Sequence, residues 1–198
     1  MAREQSEAER AAGDRMEIRR LVSADWATLR RVRLASLADA PYAFSSTLTR
    51  EQGFDEQLWR GRISSSAIFV AWQDGEPTGM VAGVPEQTAR EAGFEQAAAG
   101  TSHLVSMWVC PRARGLGTAD RLVESVCDWA RADGADLVEL WVTDVNARAR
   151  AFYRRMGFVS TGKRQLVRPE EPDHWEEQLT RTLAERPYPA AGASTGRS

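Results

Sequence analysis

The sequence predicts an α/β domain built around one strand, one glycine turn and one helix. Residues 104–109 form an apolar run rich in β-forming side chains, which is typical of a strand buried on both faces. Gly115 and Gly117 follow this run, and a strongly helical segment then extends from Thr118 to Ala132. A second β-rich run covers residues 137–143.

Further elements are predicted on both sides of this unit. Two β-rich runs between residues 67 and 84 are joined by Asp74-Gly75, a pair that accepts the positive φ angles of a tight hairpin turn. Residues 42–54 lack clear periodicity, and residues 85–101 form a polar segment rich in Ala and Gly that we expect to be a loop. The other predicted elements are a strand at 16–21, a helix from Asp25 to Pro41, a helix near 55–63, and an antiparallel pair at 159–167 and 174–183.

The length of 198 residues favours a single domain, which we place at 15–184. Residues 1–14 are polar and are expected to be disordered, and the Pro-, Ala- and Gly-rich residues 185–198 are expected to form a mobile tail.

Composition excludes several classes of function. The formal net charge of −2 gives no basic field for nucleic acid, and no apolar run is long enough to cross a membrane. The first residues contain no apolar stretch of a secretory signal, so a cytoplasmic location is expected. Cys110 and Cys127 suggest neither a disulfide framework nor a metal site, and each is most simply a small buried apolar residue.

The turn Arg112-x-x-Gly115-x-Gly117 has the features of a phosphate-binding turn. Glycines let the backbone come close to a ligand, and the first N–H groups of the following helix carry partial positive charge. Arg112 and Arg114 add full charges beside them. The same pattern also fits a plain strand-to-helix connection, so the turn alone does not decide between the two.

A second motif supplies the context. The turn is similar to the Gln/Arg-x-x-Gly-x-Gly/Ala signature of the GNAT N-acetyltransferase superfamily, and residues 146–158 resemble its second motif, Asn-x-x-Ala-x-x-Phe-Tyr-x-x-x-Gly-Phe. The matching positions of the second motif are Asn146, Ala149, Phe152, Tyr153, Gly157 and Phe158. The resemblance covers Ile18 to Leu183 in outline, is specific only over 104–158, and fits many bacterial members of unassigned substrate.

The resemblance implies a mixed, mostly antiparallel sheet of six or seven strands with about four helices. Its two central strands, the one ending at Val109 and the one at 137–143, run parallel and splay apart. The pantetheine arm of acetyl-CoA would enter this gap and pair with the backbone of Met107, Trp108 and Val109. The pyrophosphate would bind N–H groups of Gly115, Leu116, Gly117 and Thr118, with Arg112 in the Gln/Arg position of the motif. Arg114 either reaches a phosphate or is a solvated surface charge.

The resemblance also assigns roles to Asn146 and Tyr153. Asn146 would hydrogen-bond the pantetheine arm, although Asn is also a preferred helix N-cap. Tyr153 lies seven residues later, on the same helical face, and would donate a proton to the departing CoA thiolate. Its alternative is an ordinary half-buried aromatic residue beside Phe152.

His103 is the candidate general base. It begins the cofactor-carrying strand, and alternation predicts that residues 103, 105, 107 and 109 share a face. Its ordinary pKa of about 6.5 suits a base at neutral pH, while Glu139 and Asp144 are competitors and a polar residue at a strand start is the plain alternative.

The resemblance therefore implies an acetyl-CoA-dependent N-acetyltransferase that acts on a primary amine by direct attack in a ternary complex, as a monomer or homodimer and with no metal. The alternatives are an acyl-CoA-binding sensor with little turnover and an acyltransferase that uses a longer acyl group. A few aromatic residues near the expected acceptor site shape a pocket or, more simply, pack in the core: Trp26, Phe44, Phe54, Trp59 and Trp141.

Overall fold

The computed structural model describes residues 16–91 and 99–183, so the predicted terminal segments 1–14 and 185–198 lie outside the described residues. The strands are β1 (Met16–Arg20), β2 (Ala67–Gln73), β3 (Glu76–Val84), β4 (Thr101–Val109), β5 (Leu137–Thr143), β6 (Val159–Leu166) and β7 (Trp175–Thr182). The α-helices are α1 (Trp26–Asp39), α2 (Leu48–Gln52), α3 (Glu56–Ser65), α4 (Glu86–Glu91), α5 (Thr118–Ala132) and α6 (Ala147–Arg155).

The seven strands form one mixed sheet in the order β1-β2-β3-β4-β5-β7-β6. Every neighbouring pair is antiparallel except β4 and β5, which confirms the predicted mostly antiparallel architecture. The parallel pair is short: Thr101, Ser102 and His103 pair with Leu137, Val138 and Glu139, and pairing ends there. Beyond that point the two central strands splay, as expected.

A β-bulge interrupts β4 just after the strands separate. Ala82 pairs with Val105 and Met80 pairs with Trp108, so three steps along β4 oppose two steps along β3. Ser106 takes up the extra step with a φ of 57°, in the left-handed region that side chains other than glycine rarely adopt.

The bulge corrects the predicted alternation along β4. The predicted common face of residues 103, 105, 107 and 109 is wrong, because the bulge shifts the alternation by one residue. Residues 103, 105 and 108 share one face, whereas Val109 turns to the other, where a Cβ added at Gly79 would meet it at 3.4 Å.

Helix α5 covers one face of the sheet, termed here the α5 face. Its apolar residues recur at helical spacing and are buried: Leu122, Val123, Val126, Cys127 and Ala130. Gly83 of β3 lets the helix lie close, since a Cβ there would stand 2.4 Å from the Trp129 ring. Burial raises the pKa of the Cys127 thiol to about 11, which keeps it neutral as a small apolar side chain.

Two short helices are not predicted by the sequence. Residues 16–91 and 99–183 therefore contain six α-helices, whereas about four are expected. Helix α2 has five residues, and Thr47 caps it by accepting a hydrogen bond from Arg50 N at 3.3 Å. Helix α4 has six residues and lies in the predicted 85–101 loop. A helix of one or two turns is too short for a 3.6-residue period to show. None of the described helices is long and apolar enough to cross a membrane.

Helices α1, α2 and α3 cover the opposite face, termed here the α1 face, and a buried ion cluster joins them. Glu51 is 0% exposed and accepts hydrogen bonds from Arg33 Nη2 at 2.9 Å and Arg62 Nη1 at 2.8 Å. Burial opposes ionisation of this carboxyl, but the hydrogen bond and charge of Arg33, together with the charge of Arg62, outweigh it and lower its pKa.

We expect Glu51→Gln to lower the free energy of unfolding by about 3–5 kcal/mol, because it leaves two guanidinium groups without their buried partner. Glu56→Gln, which removes an exposed i,i+4 pair with Arg60, is the control and should cost about 0.5 kcal/mol. Urea denaturation measures both.

The stabilisation that Glu51 contributes to the folded state depends on pH. Because the folded pKa of Glu51 lies below its ordinary value of 4.5, its stabilisation is present above that pH and is lost as the pH falls through the folded pKa. The difference between parent and Glu51→Gln should therefore narrow below about pH 4. Equal losses in the two variants at neutral pH would contradict this account.

Candidate active site

A cavity of about 590 Å³ opens where β4 and β5 separate. Both strands line it, together with the glycine turn, helix α6 and the turn that follows α1. Strand β4 pairs with β3 on its outer edge and β5 pairs with β7 on its outer edge, so the inner edges past His103 and Glu139 have no strand partner within the described chain. Unpaired backbone donors and acceptors therefore border the cavity.

The glycine turn meets the requirements of an anion site. Gly115 and Gly117 both line the cavity and have positive φ angles of 85° and 79°, and no atom stands within 4 Å of a Cβ placed at either. Gly117 is the N-cap of α5, and no side chain caps this end. The first N–H groups of a 15-residue helix thus lie at the mouth of the cavity beside an open backbone surface, an arrangement that can bind an anionic group.

The side chains around the turn divide into two groups. Arg114 lines the cavity, but its guanidinium is engaged: Nε donates to Val109 O at 2.9 Å and Nη2 donates to Asp39. Thr118 is buried and donates its hydroxyl to Ala113 O at 3.3 Å. Arg112, Leu116 and Thr118 do not appear in the described cavity wall.

The end of β4 presents backbone groups to the gap. Cys110 N donates to Thr78 O of the β3 side at 2.8 Å, and backbone groups alternate between the two edges of a strand. The Val109 N–H therefore faces the β5 side. Met107, Trp108 and Val109 all line the cavity, and Trp108 is fixed by its indole N–H, which donates to Asp39 at 2.9 Å.

Helix α6 places Asn146 and Tyr153 in the cavity wall together. Asn146 does act as the N-cap, with Oδ1 accepting from Ala149 N at 3.0 Å. The Tyr153 ring is 6% exposed and makes edge contacts with Phe152 and Phe158, at centroid distances of 5.2 and 5.6 Å. Burial raises the pKa of the Tyr153 phenol above its ordinary value, so it stays protonated over a wider pH range.

His103 does not line the cavity. It is 2% exposed, and its Nδ1 lies 3.0 Å from Glu139 Oε1 in the last rung of the β4–β5 pairing, directly below the gap. Of the two competing carboxylates, Glu139 is in this pair and Asp144 pairs with Arg164. The described cavity wall contains none of the three.

Of the five aromatic residues that the sequence places near the expected acceptor site, two line the cavity. Phe44 and Trp141 line the cavity, whereas Trp26, Phe54 and Trp59 belong to the core and its packing layer. Arg155 of α6 pairs with Asp120 of α5 at 2.6 Å across the cavity mouth. The seven-residue spacing of Arg148 and Arg155, which repeats that of Asn146 and Tyr153, was an available signal. The remaining unpredicted wall residues include Tyr42 and Ser106.

Across residues 16–91 and 99–183, no three His, Cys, Asp or Glu side chains are grouped in a way that would hold a metal ion.

Comparison with known proteins identifies the family. The model of the Acetyltransferase (GNAT) family matches residues 31–158, more than half of the chain. An uncharacterised N-acetyltransferase of Archaeoglobus fulgidus is 32% identical over 139 residues, which cover 70% of this chain and 89% of that protein. A mycothiol acetyltransferase of Beutenbergia cavernae is 43% identical over 61 residues, 31% of this chain and only 20% of that protein's length.

A solved structure shows the same fold. A putative acetyltransferase from Salmonella typhimurium, determined with its cofactor acetyl-CoA, superimposes with a TM-score of 0.66 at 18% identity and covers 89% of this chain and 99% of its own. With the family match over residues 31–158, the separated central strands and the glycine turn at the start of α5, the chain belongs to the GNAT acetyltransferase family.

Proposed function

We propose that this protein is an acetyl-CoA-dependent N-acetyltransferase that transfers the acetyl group to a primary amine by direct attack. The observation that carries the proposal is the gap between β4 and β5, with the glycine turn at its mouth and Tyr153 in its wall. Family membership and the Salmonella relative with acetyl-CoA support the choice of cofactor.

Three parts of the chain would hold the cofactor. The N–H groups at the start of α5 bind the pyrophosphate, and Gly115 and Gly117 let it approach the backbone. The inner edge of β4 at Met107–Val109 pairs with the amides of the pantetheine arm as an added strand would. Asn146 contributes its side-chain amide from the opposite wall. When bound, acetyl-CoA supplies the acetyl thioester.

Two groups act on the reacting atoms. The Val109 N–H faces the gap and hydrogen-bonds the thioester carbonyl oxygen, which stabilises the negative charge that builds there during attack. Tyr153 Oη would donate a proton to the departing thiolate sulfur, and the proton that the attacking nitrogen loses as the amide forms would restore the Tyr153 hydroxyl. Burial raises the pKa of this phenol, so the hydroxyl is present as a hydrogen-bond donor at the pH values where amines are free bases.

The amine must lose a proton before it attacks. The sequence pointed to His103, and a proton would have to pass from the cavity to this buried ring. The acceptor end of the cavity is the part of the described wall away from the glycine turn, formed by Phe44, Trp141, Thr143 and their neighbours, and it carries no carboxylate or imidazole. We therefore propose that the amine enters as the free base, with His103 as the alternative acceptor of the proton. The two routes predict different effects of mutating His103 on the pH dependence of kcat/KM.

An acyl-CoA-binding sensor remains the alternative function, since it would use the same turn and strand edge. It does not need a buried phenol in the wall.

Gly117→Glu should abolish most acetyl-CoA binding, because it adds bulk and negative charge where the pyrophosphate lies. Gly134→Glu is a matched control at the other end of α5: Gly134 also has a positive φ, 89°, and open space at its Cβ. Both variants carry a similar backbone cost of about 1 kcal/mol. Calorimetry should show near-parent affinity for Gly134→Glu alone, and equal affinities in both variants would exclude the turn as the phosphate site.

Tyr153→Phe should retain acetyl-CoA affinity and lose turnover by roughly ten- to a thousandfold, the range for a removed general acid. Because the protonated phenol is the active form and its pKa is raised, parent activity should show no alkaline decline up to about pH 10. Free-thiol release over a pH series measures both. Full activity of the variant would remove Tyr153 from the mechanism, and a parent inactive on every amine would favour the sensor.

His103→Gln separates the two proton routes, since glutamine can still hydrogen-bond Glu139. If the amine enters as the free base, kcat/KM rises with pH towards the amine's own pKa of about 10, in the parent and the variant alike. An amine of lower pKa should shift this limb by the difference in pKa. A rise in the kcat/KM profile of the parent near pH 6–7 that is absent from His103→Gln would identify His103 as the acceptor of the proton.

A further inference from the structure

Charge is unevenly distributed in the cavity wall. The charged side chains that line it are Arg114, Asp120, Arg148 and Arg155, and all belong to the glycine turn, α5 or α6. This is the end that receives a phosphate-bearing ligand. The wall contributed by the α1 face, from residues 40–44, Val105, Trp108, Trp141 and Thr143, contains no charged side chain among the described lining residues.

That uncharged end is built largely from aromatic rings. Phe44 and Trp108 are each 9% exposed, Trp141 is half-buried and Tyr42 is 51% exposed at the rim. Such rings offer flat apolar surface against which a planar body can pack.

Two of these rings, Phe44 and Trp108, are held in place by contacts behind them. The Arg33 guanidinium lies 4.6 Å from the centre of the Phe44 ring, and Phe44 O accepts from Arg168 Nη2 at 2.9 Å. Asp39 fixes the Trp108 indole. A wall already ordered before binding loses little conformational entropy when a ligand arrives.

This side of the wall also contains a buried hydroxyl. Thr143 is 3% exposed, lines the cavity, and its hydroxyl has no hydrogen-bond partner among the described residues. A buried hydroxyl of this kind is costly unless a ligand pairs with it. Glu176 lies directly across from Thr143 on β7, but Gln165 Nε2 bonds its carboxylate at 2.7 Å and it does not line the described wall.

Building on the proposed function, we propose that the acceptor is a primary amine whose reacting nitrogen is its only ionisable group, carried on a planar, apolar body. The body packs against Tyr42, Phe44 and Trp141. An additional ammonium group, as in a polyamine or a basic peptide, finds no counter-charge on this wall and pays the cost of losing its water.

Paired amines test this directly: 2-phenylethylamine carries one charge and a ring, and 1,4-diaminobutane carries two charges and no ring. With acetyl-CoA saturating, free-thiol release should give phenylethylamine at least a tenfold higher kcat/KM. A higher value for diaminobutane, or for a lysine-containing peptide, would overturn the inference and leave the acetyltransferase proposal intact. Acetyl-CoA binding without thiol release from any amine would contradict the proposed function and the inference with it.

Variants of the wall sharpen the test. Trp141→Leu should lower kcat/KM for phenylethylamine roughly three- to tenfold, the range for one lost aromatic contact, and should leave acetyl-CoA affinity near that of the parent. Tyr42→Asp adds a carboxylate at the rim and should shift the preference towards diaminobutane. Trp175→Ala removes an aromatic side chain that is 38% exposed and outside the cavity wall, and should not change the ratio between the two amines. An unchanged ratio in both wall variants would contradict the proposal.

Discussion

The site exists because β4 and β5 pair over only three residues before they separate. In a continuous sheet the inner edges of these strands would satisfy each other. Here, backbone groups from Leu104 to Val109 and from Trp141 to Thr143 border a cavity instead, and an unpaired strand edge is a template for an extended ligand. The bulge at Ser106 lies within this region and turns Val109 to the α5 face, away from Trp108.

Contacts from distant parts of the chain keep the gap open and shaped. Arg114 joins the end of β4 to the end of α1 through Val109 O and Asp39. Arg168, from the β6–β7 connection, donates to backbone carbonyls of Pro41, Phe44 and Ser45, and Glu171 pairs with it. The turn that lines the acceptor end is therefore held by Arg114 at its start and by Arg168 along its backbone. The buried Glu51 cluster holds the helices behind that turn.

Much of this arrangement was predictable because it depends on residues that are close together in the sequence. The β2–β3 hairpin depends on Asp74 and Gly75, whose φ values are 52° and 79°, and the turn before α5 depends on Gly115 and Gly117. The bulge at Ser106 was not predictable, since no Gly or Pro marks it and the extra residue appears only when β3 is in register. For the same reason the face predicted for residues 103–109 was wrong.

The site residues likewise divide into those that a local motif predicts and those whose position depends on distant parts of the chain. Asn146 and Tyr153 were found from a motif that one short helix presents on one face, and both line the cavity. His103 was selected for its chemistry, and its burial with Glu139 depends on a strand more than thirty residues away. Tyr42, Phe44 and Thr143 come together only through the packing of α1 and β5, and their types alone suggest ordinary core or surface residues.

The central claim is that the separated edge of β4 and the start of α5 bind the cofactor through their backbone. Amide hydrogen exchange followed by mass spectrometry, with and without coenzyme A, tests this directly because bound amides exchange more slowly. The account predicts new protection in peptides covering residues 104–109 and 115–120, with none at the β2–β3 turn around Asp74. Protection absent from both cofactor segments, in protein shown by calorimetry to be saturated, would contradict it.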